Sequence, residues 1–362
     1  MGPVLGRPAR IGSGTDGSDF AALDPRERLD RLLTVFGQGD PVLILPHNDP
    51  DPDAIASTLG LGQLLAGVGR SCELAYGGIV GRAENRALVR YLGHPLHKLA
   101  SGELRRSGAI ALVDTQPAAG NNPISESEAD RVRGVIDHHP QYEGTESVAF
   151  SDIRPGIGAT STIITEYIQA ADLEISPALA TALFYGIETD TMGLGRGASA
   201  DDAAAYFYLH PLIDTEALAD IQRAQLPAAY FQSLRRALDN SHLYDGLAVS
   251  YVGEMSYPDL AAEIADLLLR LEGVRWVLSL GKYKDSLILA ARSRSRRGGS
   301  GRLVRSIVAG RGTAGGHGVM AGGQVVLEGL DPEAVAAELT RLALAHLKIP
   351  EDTPGEPLLD DS

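Results

Sequence analysis

Pro46-His47-Asn48-Asp49-Pro50-Asp51-Pro52-Asp53-Ala54 follows directly on the apolar run Val42-Leu43-Ile44-Leu45, and this junction decides the fold. Four such apolar residues read as a strand buried on both faces, and the abrupt change to proline, aspartate and histidine marks its end. The junction recurs where Ala109-Ile110-Ala111-Leu112-Val113 runs into Asp114, and where Val135-Ile136 runs into Asp137-His138-His139. Asp190 adds a further carboxylate. Open parallel sheets hold their ligands outside the carboxyl ends of the strands. Charged groups gathered so near a buried sheet need paired charges or a metal ion.

Working outward, apolar runs predict strands at 42–45, 72–76, 109–113 and 133–136, with helical patterns between and after them, for example at 53–65 and 177–186. That alternation implies an α/β unit whose parallel sheet is covered on both faces, spanning residues 25–200. Residues 201–240 read as a helical connector interrupted by Pro211 and Pro227. The pattern then changes to a second, smaller α/β unit over 241–348, with strands at 247–252, 275–280, 286–291 and 324–327 and helices at 258–271, 302–309 and 332–347. Asp331-Pro332 supplies the last helix with an N-cap and a first-turn proline. The expected architecture is two unlike units packed across an active cleft. Residues 1–24 read as a flexible tail, and 349–362, acidic and proline-containing, as a frayed end.

Composition narrows the function. A chain of 362 residues with a single cysteine, Cys72, needs no disulfide and permits none within itself. No apolar stretch approaches the roughly 20 residues of a membrane helix, and the N-terminus has no secretory core, so a cytoplasmic protein with no membrane partner is expected. The net charge of −15 argues against coating a long nucleic acid. Against that background, residues 291–312 carry Arg292, Arg294, Arg296, Arg297, Arg302, Arg305 and Arg311 without an acidic residue, a local anion site that suits a short phosphorylated ligand.

Asp51 and Asp53 lie two apart in a proline-stiffened turn, so one loop can aim carboxylates at two neighbouring points. Imidazole and carboxylate without thiolate favour Mn²⁺, with Mg²⁺, Co²⁺ or Fe²⁺ as alternatives. Gly315-Gly316-His317 permits close backbone approach to an anion. Thr160 and Ser161 read as helix N-capping residues, Asn121 and Asn122 as amides satisfying their own turn, Asp49 as a surface or supporting carboxylate, and Cys72 as a small core residue.

The order H-x-x-P-D-x-D-A from His47 to Ala54, Val113-Asp114-Thr115, Asp137-His138-His139 and Gly186-Ile187-x-x-Asp190-Thr191 resembles the DHH phosphoesterases. Gly315-Gly316-His317 resembles their DHHA1 companion domain, although Ala314 stands for the family's first glycine and Met320 for its first alanine. The resemblance implies that His47, Asp51 and Asp114 hold one metal, and that Asp53, Asp114, His138 and Asp190 hold the other. Asp137 would orient an imidazole, and His139 would contact the scissile phosphate or assist the leaving group. Arg292-Ser293 matches the family's Arg-Ser substrate element and, with Gly315, Gly316 and His317, would bind substrate. The implied activity is hydrolysis of short oligoribonucleotides, 3′-phosphoadenosine-5′-phosphate or linear or cyclic dinucleotides by a hydroxide bridging two Mn²⁺ ions, as in the oligoribonuclease and pAp-phosphatase branch. Hydrolysis of polyphosphate or pyrophosphate, and a non-catalytic nucleotide-binding module, are the alternatives. A homodimer is left open.

Overall fold

The computed structural model describes residues 23–36, 41–295 and 298–359, with the side chains of all of these but Glu126 and His317. β1 (Val42–Leu45), β2 (Cys72–Tyr76), β3 (His97–Lys98), β4 (Ala109–Val113), β5 (Val132–Asp137) and β6 (Phe150–Ile153) form one sheet in the order β3-β2-β1-β4-β5-β6, parallel throughout. Successive strand residues face opposite sides, which is why β1 is apolar at every position. Val42 and Ile44 point into the larger core with Ile55, Leu61, Ile164 and Leu183, while Leu43 and Leu45 meet Ile110, Leu112 and Val135 on the other face. The helices α1 (Pro25–Val35), α2 (Pro52–Gly67), α3 (Ala83–Tyr91), α4 (Thr160–Ala170) and α5 (Pro177–Thr191) accompany this sheet. α2 lies against both α4 and α5.

Strand order turns back on itself between β1 and β4. Connections leave those two strands in opposite directions, which opens a crevice at their carboxyl ends. The two motif loops that begin at Pro46 and Asp114 emerge on either side of it.

α6 (Ala200–Leu209), α7 (Thr215–Gln222) and α8 (Ala228–Asp239) lead to the second sheet, with Pro211 just beyond α6 and Pro227 at the N-cap of α8. That sheet contains β7 (Ser241–Tyr244), β8 (Leu247–Glu254), β9 (Trp276–Tyr283), β10 (Ser286–Ser293), β11 (Gly312–His317), β12 (Met320–Val326) and β13 (Glu356–Pro357), in the order β11-β12-β10-β9-β8-β7-β13. Only the β8–β9 pairing is parallel among the described strands of this sheet. α9 (Leu260–Leu268) and α8 pack on one face, and α10 (Ser300–Val308) and α11 (Pro332–Leu347) on the other.

One expectation is corrected. The acidic segment 349–362 is not simply a frayed end: Glu356 and Pro357 pair with Leu243 and His242, and the Leu358 N–H donates to the Ser241 carbonyl at 2.9 Å. A two-residue pairing carries no hydrophobic period, so composition alone reads as coil. β11 went unpredicted for a related reason, since Gly312-Thr313-Ala314-Gly315-Gly316-His317 lacks the branched and aromatic residues that signal a strand. Residues 1–22 of the expected tail, and Arg296 and Arg297 of the arginine run, lie outside the described residues.

Candidate active site

Asp51 is the N-cap of α2, its Oδ1 accepting the Ala54 N–H at 3.0 Å, and Asp53 lies in the first helical turn. Asp53 is wholly buried. Its Oδ2 accepts the Thr160 N–H and its Oδ1 the Ser161 N–H, each at 2.7 Å. A carboxylate from α2 therefore satisfies the open amides of α4, favoured by the positive end of that helix. Gly186 makes the approach possible, because a Cβ there would stand 3.0 Å from the Asp53 Cα. Thr160 and Ser161 are not caps of their own helix. The N-cap is Ala159, and the Thr160 hydroxyl instead donates to Asp114 Oδ1 at 2.9 Å.

Asp114 follows β4 with φ of 57°, a left-handed conformation that turns its side chain into the crevice. Its Oδ2 lies 3.4 Å from His47 Nε2 and its Oδ1 3.5 Å from His138 Nε2. His47 Nε2 is also 3.7 Å from Asp51 Oδ1, and His138 Nε2 is 3.4 Å from Asp190 Oδ2. Three groups thus form, His47–Asp51–Asp114, Asp53–His138–Asp190 and Asp114–His138–His139, each with donor atoms within 4.8 Å of one another. Donors round one cation with bonds of about 2.0–2.2 Å stand at most about twice that far apart, so the spacing is close to what a shared ion requires.

The tautomers agree. His138 Nδ1 lies 3.2 Å from the Ile157 carbonyl and His47 Nδ1 lies 2.8 Å from the Asn48 carbonyl, so in each neutral ring Nδ1 carries the proton and Nε2 offers its lone pair. His138 Nε2 is buried without a hydrogen-bond partner. A buried nitrogen left bare among carboxylates is costly unless a cation meets it.

Electrostatics say the same. Burial, then the charge of Asp114, pushes the Asp53 carboxyl up to about 7. Burial, with Asp51 and Asp53 beside it, holds Asp190 far above the usual carboxylate range. Burial opposes charge on His47, but hydrogen bonds from its ring to the Asp114 and Asp51 carboxylates outweigh it and raise its pKa well above the ordinary value. The cluster is a negative site in need of positive charge.

Asp137 serves His139 and not His138. Its Oδ1 lies 2.8 Å from His139 Nδ1 and accepts the His139 N–H at 3.1 Å. Despite burial, that bond and the charge of Asp114 raise His139 to about 9. Sequence reading missed Gln116, which is fully buried. Its Nε2 donates to Asp137 Oδ2 at 2.7 Å, and its Oε1 accepts from Tyr142 N–H and the Thr145 hydroxyl. Its place two residues after Asp114 was the available signal. Asn121 and Asn122 brace the same loop: Asn121 Oδ1 accepts from Thr115 and its carbonyl from Asn48 N–H, while Asn122 Nδ2 donates to the Gln116 carbonyl. Asp49 Oδ1 accepts the Ile79 N–H at 2.7 Å.

The crevice opens into a cleft of about 830 Å³ walled by both sheets' units, with His47, Asp51 and Asp190 on one side and Arg292, Ser293 and Met320 on the other. Arg292 is nearly buried, and its Nε donates to Asp266 at 2.5 Å. Arg82 reaches across from the first unit to within 4.0 Å of both Glu263 and Asp266. Arg196, another residue the sequence did not single out, donates to the Asp190 carbonyl at 2.8 Å and lies 2.9 Å from Met320 Sδ. Gly315 and Gly316 do not line the cleft. They lie in β11, where Gly316 opposes Ala321 and its carbonyl is close-packed against Gly301 of α10. The His317 side chain lies outside the described residues.

With this geometry in view, residues 41–187 match the DHH family, N-terminal domain. That segment is a DHH-family N-terminal domain. Among the chain's relatives, Uncharacterized protein MJ1633 of Methanocaldococcus jannaschii is 35% identical over 288 residues, 79% of this chain and 58% of its own length. Cyclic-di-AMP phosphodiesterase PdeA of Listeria monocytogenes is 27% identical over 289 residues, 74% of this chain and 42% of PdeA. The chain thus spans about half the length of these two relatives. The Bifunctional oligoribonuclease and PAP phosphatase NrnA of Thermus thermophilus is 27% identical over 332 residues, which cover 83% of this chain and 91% of NrnA. No helix among the described residues is long and apolar enough to cross a membrane.

Proposed function

We propose that this chain is a two-metal phosphoesterase acting on short oligoribonucleotides and related small nucleotides such as 3′-phosphoadenosine-5′-phosphate or dinucleotides. The observation that carries the reading is the bare, buried Nε2 of His138 among Asp53, Asp114 and Asp190. His47, Asp51 and Asp114 would hold one cation, and Asp53, His138 and Asp190 the other, with Asp114 touching both groups. A hard cation fits this thiolate-free set, and Mn²⁺ is the assignment, with Mg²⁺, Co²⁺ and Fe²⁺ as competitors. Bound there, two such ions activate water and neutralise phosphate oxygens.

The chain's own residues do the rest. Thr160 and the carbonyl of Ile157 fix the ligands Asp114 and His138, and Gln116 fixes Asp137 behind His139, before substrate arrives, which keeps the reorganisation needed in the transition state small. His139 has a side chain 38% exposed against 10% for His138, so it stands nearer the open side of the site, where its proton can go to the leaving oxygen. Arg292 and Arg196 present guanidinium groups to the cleft, one from each unit. Residues 25–200 act as the catalytic domain and 241–348 as the substrate-binding domain of the DHHA1 kind.

Size and lining favour a nucleotide over pyrophosphate or polyphosphate. Tyr185, Met192, Leu269, Val319 and Met320 give the cleft apolar wall that an inorganic phosphate chain has no use for and a base does. Similarity to NrnA over nearly its whole length supports the same choice. The test is a substrate panel on Mn²⁺-loaded protein: a two-to-five-residue RNA, 3′-phosphoadenosine-5′-phosphate, a cyclic dinucleotide, pyrophosphate and polyphosphate. Release of mononucleotide from the RNA, with slower or no phosphate release from the inorganic substrates, is the expected result. Binding of a dinucleotide without turnover of any substrate would establish a non-catalytic module instead.

A further inference from the structure

Beside the cleft, on the second sheet, lies another hollow of about 470 Å³, within the size range of small-ligand sites. Arg275, Arg294 and Lys348 line it with one carboxylate, Asp245, and its apolar wall includes Ile349 and the half-buried Trp276. In a chain of net charge −15, three cations around an aromatic wall are a local reversal of sign that draws an anion. Aromatic surface interleaved with cations is also how single-stranded nucleic acid is held without regard to sequence.

The hollow is continuous with the cleft through one strand. Arg292 faces the cleft and Arg294 lines both cavities. Ser293 between them is paired with Trp276, and the Arg294 N–H donates to the Arg275 carbonyl at 2.9 Å. Arg294 Nε is anchored on the Leu269 carbonyl at 2.9 Å, which fixes the guanidinium at the rim between the two spaces. Arg275 Nη2 donates to the Asp245 carbonyl at 3.1 Å, while the Asp245 carboxylate is 3.6 Å away and the two side chains are 67% and 74% exposed. A pair so exposed is cheaply exchanged for a phosphate.

We propose that this hollow is a second nucleotide subsite, which takes the base and phosphate of a residue further along a single-stranded oligonucleotide whose end occupies the cleft. The inference rests on the phosphoesterase reading and adds a length preference to it. Trp276 stacks on the base, Arg294 meets the phosphate passing over the rim, and Arg275 and Lys348 meet the next one. Substrates of two residues never reach the subsite.

The test compares two-residue and five-residue oligoadenylates on the full Mn²⁺-loaded chain carrying Arg275→Ala with Lys348→Asn, the asparagine chosen because Lys348 sits at φ of 60°. The KM for the five-residue substrate is expected to rise about tenfold, the scale of losing one stacked and ion-paired residue, while kcat and KM for the dinucleotide stay as in the native protein. Equal changes for both lengths, or none for either, would overturn the subsite. Binding separates it from catalysis. Trp276 is the only tryptophan, so the five-residue oligoadenylate, added with chelator present, should quench the native fluorescence and leave the double variant's unchanged. An unquenched native signal rejects the subsite whatever the enzyme hydrolyses. A quenched signal in a chain that turns over no oligonucleotide keeps the subsite and discards the assigned activity.

Discussion

The two walls of the cleft are built in different ways. On the first, each group of the carboxylate and imidazole cluster sits within two or three residues of a strand or helix end: His47 after β1, Asp51 and Asp53 at the start of α2, Asp114 after β4, His138 after β5 and Asp190 one residue before the end of α5. On the second, the charged groups are set by contacts between distant segments, such as Arg292 with Asp266 and Arg82 with Glu263. A backbone that ends a buried strand has little freedom, so the first wall is rigid by construction. The second depends on side chains that solvent also reaches, with Arg82 34% and Asp266 45% exposed.

The sharpest attack on that contrast is Asp114→Asn. Asp114 faces His47 with one oxygen and His138 with the other, so the amide removes a negative donor from both groups at once. Hydrolysis of the short RNA should fall about a thousandfold or more, as expected when charge stabilisation at a reacting phosphate is lost. A drop below about tenfold would mean that the first wall does not hold the reactive centre.

Next in size is the effect of the cation on stability, which probes the same crowding without touching a residue. A carboxyl whose pKa is higher folded than unfolded binds its proton more tightly when folded, so its contribution is lost as pH rises from 3.8 to about 7 for Asp53. Cation binding replaces that proton and cancels the repulsion. Mn²⁺ at about a hundred times its pH 8 Kd should raise Tm by about 5 °C or more at pH 8, and the same Mn²⁺ concentration by less at pH 5, where protons compete. A thermal melt series with equal shifts at both pH values would contradict the like-charge account.

Gln116→Leu gives a smaller effect. It leaves Asp137 with His139 but takes away the second donor holding that carboxylate, and supporting bonds of this kind are worth about 10–100-fold in activity or metal affinity. The loss should appear in kcat with KM little changed, measured on the same RNA. An unchanged kcat would mean that the His139 ring is held well enough by Asp137 alone.

How far the sequence could be read follows from the same division. β1, β2 and β4 coincide with the apolar runs that predicted them, and His47, Asp114 and His138 were visible because each closely follows such a run, whereas Asp190 lies within α5 and was visible only through its motif. Thr160 and Ser161 were read as caps because a hydroxyl at a helix start explains itself locally, and nothing within the segment reveals a carboxylate arriving from α2. Gln116 and Arg196 were missed because their partners are remote, Tyr142 and Thr145 in one case and Met320 in the other. Gly315 and Gly316 were read as a phosphate nest; in the fold both lie in β11, where a Cβ on Gly316 would stand 2.6 Å from the Ala321 Cα of β12, and Gly301 is the residue that lets α10 sit close to the Gly316 carbonyl. Glycine signals close approach without saying what approaches.

The smallest effect tests the second wall most directly. Arg292 donates Nε to Asp266 and Nη1 to the Ala291 carbonyl, bonds that orient the guanidinium toward the cleft it lines. If Asp266 positions Arg292 for phosphate, Asp266→Asn keeps a hydrogen-bond acceptor, loses the charge, and should raise KM about threefold with kcat nearly constant, a loss on the scale of a partly exposed ion pair. If instead Asp266 competes with phosphate for the same guanidinium, the same substitution lowers KM. The sign of that shift decides whether the second wall is preorganised for its ligand, like the first, or must exchange an internal ion pair for the substrate each time one binds.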